Sequence, residues 1–257
     1  MRAEHRNFIL EAYYALFRAF GPQHWWPADT PFEVAVGAIL TQSVSWRNVE
    51  KAMAALKAEG LMDVASLCRC EEERLAQLIF PTGYYNAKAR KLRAFTCFLQ
   101  ERFEGRMDAL WTIPQDRLRD ALLGVHGIGF ETADAILCYA GDLPAFVADA
   151  YSRRLLRRWG LLHGDSYEDA RRLVEGLLPP DPYLFNEFHA LLVRLAKAHC
   201  LKSAPRCMGC PVRGCPRIGL EKSGEAIPDP KGVDNRGQAT EEAQEARAAR
   251  RPQGGDS

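Results

Sequence analysis

Nearly every segment of this chain repeats its apolar residues at helical spacing, and Gly or Pro ends each repeat early. FILEAYYALFRAF, FEVAVGAIL, VEKAMAALKAEG, ERLAQLIF, AKARKLRAFTCFLQERF, TADAILCYA, AYSRRLLRRWGLL and FNEFHALLVRLAKAHC all carry the three-to-four spacing. The breaks fall at Gly21-Pro22, Pro27, Pro31, Pro81-Thr82-Gly83, Pro144, Pro179-Pro180 and Pro182. Strand-like alternation is confined to AFVADAY, which is short. The pattern therefore predicts an all-α fold built from many short helices, with no internal repeat.

Composition adds bounds. The 257 residues are 47% hydrophobic and 26% charged, as in an ordinary globular protein. No apolar run approaches the roughly 20 residues that span a bilayer. The opening MRAEHRNFILEAYYALF lacks a small-residue cleavage site and is expected to be a mature helix, not a signal peptide. That reading puts the protein in the cytoplasm, with no membrane partner. Residues 218–257 lack aromatics and apolar periodicity, so they form an expected disordered tail. They hold eight acids and six bases, and without them the chain has 28 bases against 25 acids, a net +3. Such a mild excess does not by itself announce nucleic acid.

Four features carry potential chemistry. The stretch GVHGIGFETADAIL joins a helix, LRDALLG, to a second helix through Gly127 and Gly129. Glycines spaced this way turn the backbone tightly and leave N–H groups unobstructed beside a helix start, which suits an anion. The plain alternative is an ordinary helix connection. Glu131 then stands in the first turn, where the helix dipole favours an acid. Cys200, Cys207, Cys210 and Cys215, spaced C-x6-C-x2-C-x4-C, favour a metal over disulfides. The single C-x2-C pair with outlying partners fits an iron–sulfur cluster at least as well as zinc. Cys68, Cys70, Cys97 and Cys138 read as small buried hydrophobes.

Asp149, in PAFVADAYSRRLLRRWG, precedes a helix with Arg153, Arg154, Arg157 and Arg158. An N-cap is its plain role, while the basic helix could support an anionic polymer. Trp25 and Trp26 occupy a Pro-flanked loop, where two large aromatics either fill the core or line a pocket. Gln42 interrupts an apolar helix end.

In this order the features resemble the helix-hairpin-helix DNA glycosylases, specifically the endonuclease III branch. The resemblance rests on ILTQSVSW, GYYNAKARKL, GVHGIGFETA, the aspartate of FVADAY and the cysteine loop. It implies a two-lobed helical protein holding double-stranded DNA with a damaged base, as a monomer associated with the nucleoid. Residues 22–141 would form one lobe with the hairpin. Residues 1–21 and 142–217 would form the other, with the cluster loop at 200–215. Gly127, Gly129, Tyr85 and Lys88 would contact DNA, Gln42 would fill the gap left by an extruded base, and Asp149 would be the catalytic acid. Cys200, Cys207, Cys210 and Cys215 would hold a [4Fe–4S] cluster of structural role, although the family's last gap is one residue longer. Lys202, Arg206 and Arg213 could add phosphate contacts beside it.

One departure stands out. Bifunctional members carry a nucleophilic lysine where this chain has Glu131. With WWP, TADAILCYA and VADAYS, the chain looks most like the 3-methyladenine DNA glycosylases related to endonuclease III. These are monofunctional, with aromatics lining the base pocket; here Trp25, Trp26 and Glu131 would form it. The alternatives are a bifunctional glycosylase/AP lyase for oxidised pyrimidines and a non-catalytic iron–sulfur DNA-binding protein.

Overall fold

The computed structural model describes residues 2–220, and the tail expected to be disordered lies outside them from residue 221 onward. Twelve α-helices occur among the described residues, with one 3-10 turn (Phe80–Thr82), one π-helical turn (Ile136–Ala140) and no β-strand. None of the helices is long and apolar enough to cross a membrane.

The chain begins with α1 (Arg2–Phe20), whose Ile9, Ala12, Tyr13 and Leu16 form one buried stripe. α2 (Pro31–Leu40) is buried on nearly every side. Its start is set by Pro31 and by Thr30, whose Oγ1 accepts from the Glu33 amide at 3.2 Å. α3 (Trp46–Ala58), α4 (Val64–Arg69), α5 (Glu72–Leu78) and α6 (Tyr85–Phe103) follow, with α6 packed on α2, α4 and α5. α7 (Met107–Leu110) is a single turn, and α8 (Gln115–Leu123) and α9 (Phe130–Ala135) are the arms of the glycine hairpin.

TADAILCYA reads as one helix but divides in the structure. α9 passes into the π-helical turn, where the Gly141 amide donates to Ile136 O. An extended run then leads to α10 (Ala150–Arg158), α11 (Tyr167–Leu177) and α12 (Pro182–Ala198), with α10 and α11 in contact and α1 and α10 both packed on α12. α2 and α12 both touch the π-helical turn, which therefore links one group of helices, α2 to α9, with the other, α1 and α10 to α12. Fully buried Leu, Ile and Phe side chains run continuously through both groups, each contributing about 1.5–3 kcal/mol relative to exposure.

Candidate active site

The expected N-cap role of Asp149 is present: its Oδ1 accepts from the Ser152 amide at 2.7 Å at the start of α10. The run before it is buried and extended, so its backbone groups need partners from elsewhere. Phe146 N donates to Glu175 Oε1 at 3.0 Å from α11, and Arg153 Nη1 donates to Ala148 O at 2.8 Å from α10. Val147 O lies 2.9 Å from His189 Nδ1 on α12. Because a carbonyl only accepts, that ring nitrogen carries the proton. Four fixed anchors thus aim one half-buried carboxylate.

A set of aromatic rings packs between α2, the π-helical turn and α12. Trp26 is stacked with Tyr139 at 5.6 Å, and meets Trp25 and Trp46 edge-on at 5.7 and 4.9 Å. Gly37 of α2 makes room, since a Cβ there would come within 3.2 Å of the Trp26 ring. Asn186 of α12 donates to Trp25 O at 2.7 Å and ties the loop down. The π-helical turn carries Tyr139, whose hydroxyl is pushed well up by burial. The charges of Asp149 and Glu131 add to that shift, and Tyr139 and Trp25 each stand 6.0 Å from His189, the ring that meets Val147 O two residues before Asp149. Glu131 itself is exposed in the first turn of α9.

The hairpin turns at Gly127, whose φ of +81° favours glycine, and Gly129 caps α9 in extended conformation. Gln42 joins this turn. Its Nε2 donates to Thr132 Oγ1 at 2.9 Å and to Gly127 O at 3.4 Å, and its Oε1 accepts from Lys91. Tyr85 lies apart, at the start of α6 against Phe80.

Lys88 is a correction. A DNA contact needs an accessible ammonium, but Lys88 is 1% exposed and donates to Leu40 O at 2.9 Å and Thr82 O at 2.7 Å. It binds the end of α2 to the 3-10 turn and so fixes the turn that carries Gln42. The basic helix is a second correction. Residues four apart share a helix face, and Arg154 and Arg158 turn inward to the carbonyls of the cysteine loop, on Cys200, Leu201 and Lys202. Arg153 and Arg157 pair with Asp165. Little of α10 is left as a basic stripe.

That loop brings Cys200, Cys207, Cys210 and Cys215 around one cavity of about 580 Å³. Arg158 Nη1 lies 3.0 Å from Cys200 Sγ. Burial raises the Cys210 and Cys215 thiols, and the other cysteines of the loop add to it. The sulfurs are not drawn together as a ready ligand set among the described residues. Of the remaining cysteines, Cys138 is buried as expected, whereas Cys68, Cys70 and Cys97 are partly exposed. The Sγ atoms of Cys68 and Cys97 stand 3.0 Å apart.

Sequence reasoning passed over Lys91, Tyr139, Thr132 and His189. A lysine in an amphipathic helix and a tyrosine in an apolar one carry no signal until the fold sets their neighbours. Asp134 in TADAIL was more visible, as a charge inside an apolar run. It is 0% exposed and held by Arg119 of α8 through both carboxylate oxygens, at 2.6 and 3.0 Å.

Residues 36–180 match the family model of the HhH-GPD superfamily base excision DNA repair proteins. A relative from Methanocaldococcus jannaschii, "Putative DNA repair glycosylase MJ1434", is 40% identical over 216 residues, covering 83% of this chain and 97% of that protein. Endonuclease III of Thermotoga maritima is 28% identical over 180 residues, covering 70% and 79%. Among solved structures, the H. pylori 3-methyladenine DNA glycosylase bound to 1,N6-ethenoadenine aligns with a TM-score of 0.64 at 26% identity. That alignment covers 76% of this chain and 97% of that one. A trapped endonuclease III–DNA covalent intermediate aligns at TM-score 0.69 and 22% identity, covering 82% and 93%, a likeness of fold. The chain belongs to the HhH-GPD superfamily and is a DNA repair glycosylase of that family.

Proposed function

We propose that the enzyme binds double-stranded DNA, extrudes an alkylated purine such as 3-methyladenine, hydrolyses its glycosidic bond and stops at the abasic site. The observation that carries this reading is the aromatic wall of Trp25, Trp26, Tyr139 and Trp46, which reaches the Asp149 segment through His189 and its contact with Val147 O. An N-alkylated purine is cationic, and a cation on an aromatic face gains about 0.5–2 kcal/mol. Such a base also leaves readily, which lessens the need for a strong general acid. The H. pylori relative, a 3-methyladenine glycosylase with a modified adenine bound, supports the same substrate class.

Bond cleavage builds positive charge on the sugar, as in other glycoside hydrolyses. Asp149, held at the head of α10, would stabilise that charge and orient the attacking water. Gln42 would occupy the space vacated by the base, whose extrusion costs a few kcal/mol. Backbone N–H groups at Gly127 and Gly129 would hold phosphate, with DNA running between the two groups of helices. Glu131 cannot form an imine, so the lyase route by an amine at that position is closed.

The test is a panel of duplexes, each with one lesion, assayed for base release with and without borohydride. Release of 3-methyladenine with no trapped covalent complex is expected. Release confined to oxidised pyrimidines, or a robust adduct, would overturn the reading.

A [4Fe–4S] cluster fits the cysteine loop by its donor chemistry, since four thiols surround one cavity and Arg158 offers a compensating cation beside Cys200. Cys200, Cys207, Cys210 and Cys215 would hold it, and its contribution would be to order the loop. Arg154 and Arg158 already bind the loop's carbonyls to α10, so loop order bears on the helix that Asp149 caps. Purified protein is expected to be yellow-brown and to contain about four irons per chain, the content of such a cluster. A colourless protein with one zinc would overturn the assignment.

A further inference from the structure

Both ends of the Gln42 amide are engaged within the protein. The donor end faces Thr132 Oγ1 and the Gly127 carbonyl, and the oxygen accepts from the Lys91 ammonium. Lys91 arrives from α6 and lies across the hairpin. A Cβ on Gly127 would stand 2.2 Å from Lys91 Cγ, 2.6 Å from Cδ and 2.8 Å from Cε. The missing side chain of Gly127 therefore does two things: it permits the left-handed turn and it leaves a channel for the lysine stem. Gln42 and Lys91 are both half-buried, so neither is a loose surface group that settled by chance.

An amide has two donor hydrogens and one acceptor oxygen. These contacts use both N–H donors and one of the two oxygen lone pairs of Gln42, so the side chain can swing into a duplex and turn its donors to an orphaned base only by giving them up. Something must release it when DNA arrives. Among the described residues its charged partner is Lys91, and a phosphate seated at the glycine turn would offer that ammonium an anion that competes with the neutral amide oxygen. A charge-assisted pair of that kind is the stronger bond.

We propose that Lys91 is a positioning residue that parks Gln42 against the hairpin and exchanges it for a DNA phosphate, so that Gln42 enters the duplex only where the backbone is already gripped. The proposal rests on the reading that Gln42 fills the gap of an extruded base. Before DNA binds, Lys91 keeps Gln42 folded back; after binding, Lys91 joins the phosphate contacts and Gln42 is free to insert. Grip and insertion are thereby coupled through a single ammonium.

The experiment uses the intact protein with a duplex that contains a tetrahydrofuran abasic analogue flanked by 2-aminopurine. This DNA needs no base chemistry, so it reports binding and insertion separately from excision. Lys91→Met keeps an unbranched stem over Gly127 and removes the charge, while Lys91→Arg keeps the charge. Affinity is measured against salt, and insertion is followed by stopped-flow fluorescence.

The Met variant is expected to lose about one phosphate from the salt dependence, a slope shallower by about 0.9 in log K against log salt. Its fluorescence change should rise together with binding instead of following it, and Arg should restore the wild-type slope. Unchanged slope and unchanged timing in a Met variant that melts like the wild type would overturn the role of Lys91. Gln42→Ala separates the two levels. If it abolishes the fluorescence change while Lys91→Met alters nothing, only the Lys91 proposal fails. If it leaves the signal intact, Gln42 is not the inserting group and the reading beneath fails as well.

Discussion

Asp149→Asn is expected to lower base release by roughly 10²–10⁴-fold, the range for removing a positioned acid–base or charge-stabilising group. Binding to an abasic-analogue duplex should stay within about a factor of two of the wild type, because no phosphate contact is lost and a factor of two is well under 1.4 kcal/mol. The substitution is informative because of the cap. Asp149 Oδ1 accepts from the Ser152 amide, and Asn caps a helix about as well as Asp. The start of α10 therefore survives while the charge disappears. Asp149→Ala removes both, and should cost about 1 kcal/mol of stability in addition. A comparison of the two variants by single-turnover release and thermal melting separates the structural role from the chemical one. Normal turnover by Asp149→Asn would leave the cap as the whole function of this residue.

The all-α character and most of the longer helices were legible in the spacing of apolar residues, and so was the hairpin, whereas α4, α7 and α11 were not singled out. Gly127 does have positive φ, and α8 and α9 do flank it. What could not be read was where charges point. Lys88 and Arg158 look like solvent-facing residues on amphipathic helices, yet both are buried on backbone carbonyls of other segments, Lys88 on Leu40 and Thr82 and Arg158 on Leu201 and Lys202. A carbonyl is invisible in a sequence because every residue has one. The π-helical turn was hidden for a similar reason. It is accompanied by Gly141 fitting under Trp111, where a Cβ would meet the ring at 2.5 Å, and by Leu143 N donating to Leu137 O at 3.0 Å. That turn places Tyr139 at the aromatic wall, so a local irregularity with no local signature shapes the candidate site. The cysteine motif was legible as a set, but its dependence on two inward-facing arginines was not.

Arg119→Met is expected to be the most destabilising single change outside the apolar core. Arg119 grips both oxygens of Asp134, which is fully buried, and also meets Glu168. Tyr167 adds its hydroxyl to Asp134 at 2.9 Å, and Arg171 stands 4.0 Å away. Through these contacts α8 and α9, the arms of the hairpin, are fastened to α11. Burial pushes the Asp134 carboxyl up, against the pull of Arg119 and Tyr167. With Arg119 gone, that carboxylate is left short of its main partner, and breaking a buried pair in this way costs about 3–5 kcal/mol. For a chain of this size the loss corresponds to a fall of roughly 6–20 °C in melting temperature. The deficit should depend on pH in a defined direction. A carboxyl whose folded pKa is raised imposes no penalty below its unfolded value near 3.9, and the penalty grows as pH rises through that value toward the folded one. The variant should therefore lie closest to the wild type near pH 4 and fall away toward neutrality. Adding Asp134→Leu should recover much of the lost stability, because the buried charge that lost its partner is then absent. If the double variant melts no higher than Arg119→Met alone, the cost lies in lost packing of Arg119 on Phe130, whose ring it covers at 5.4 Å, and not in the stranded charge.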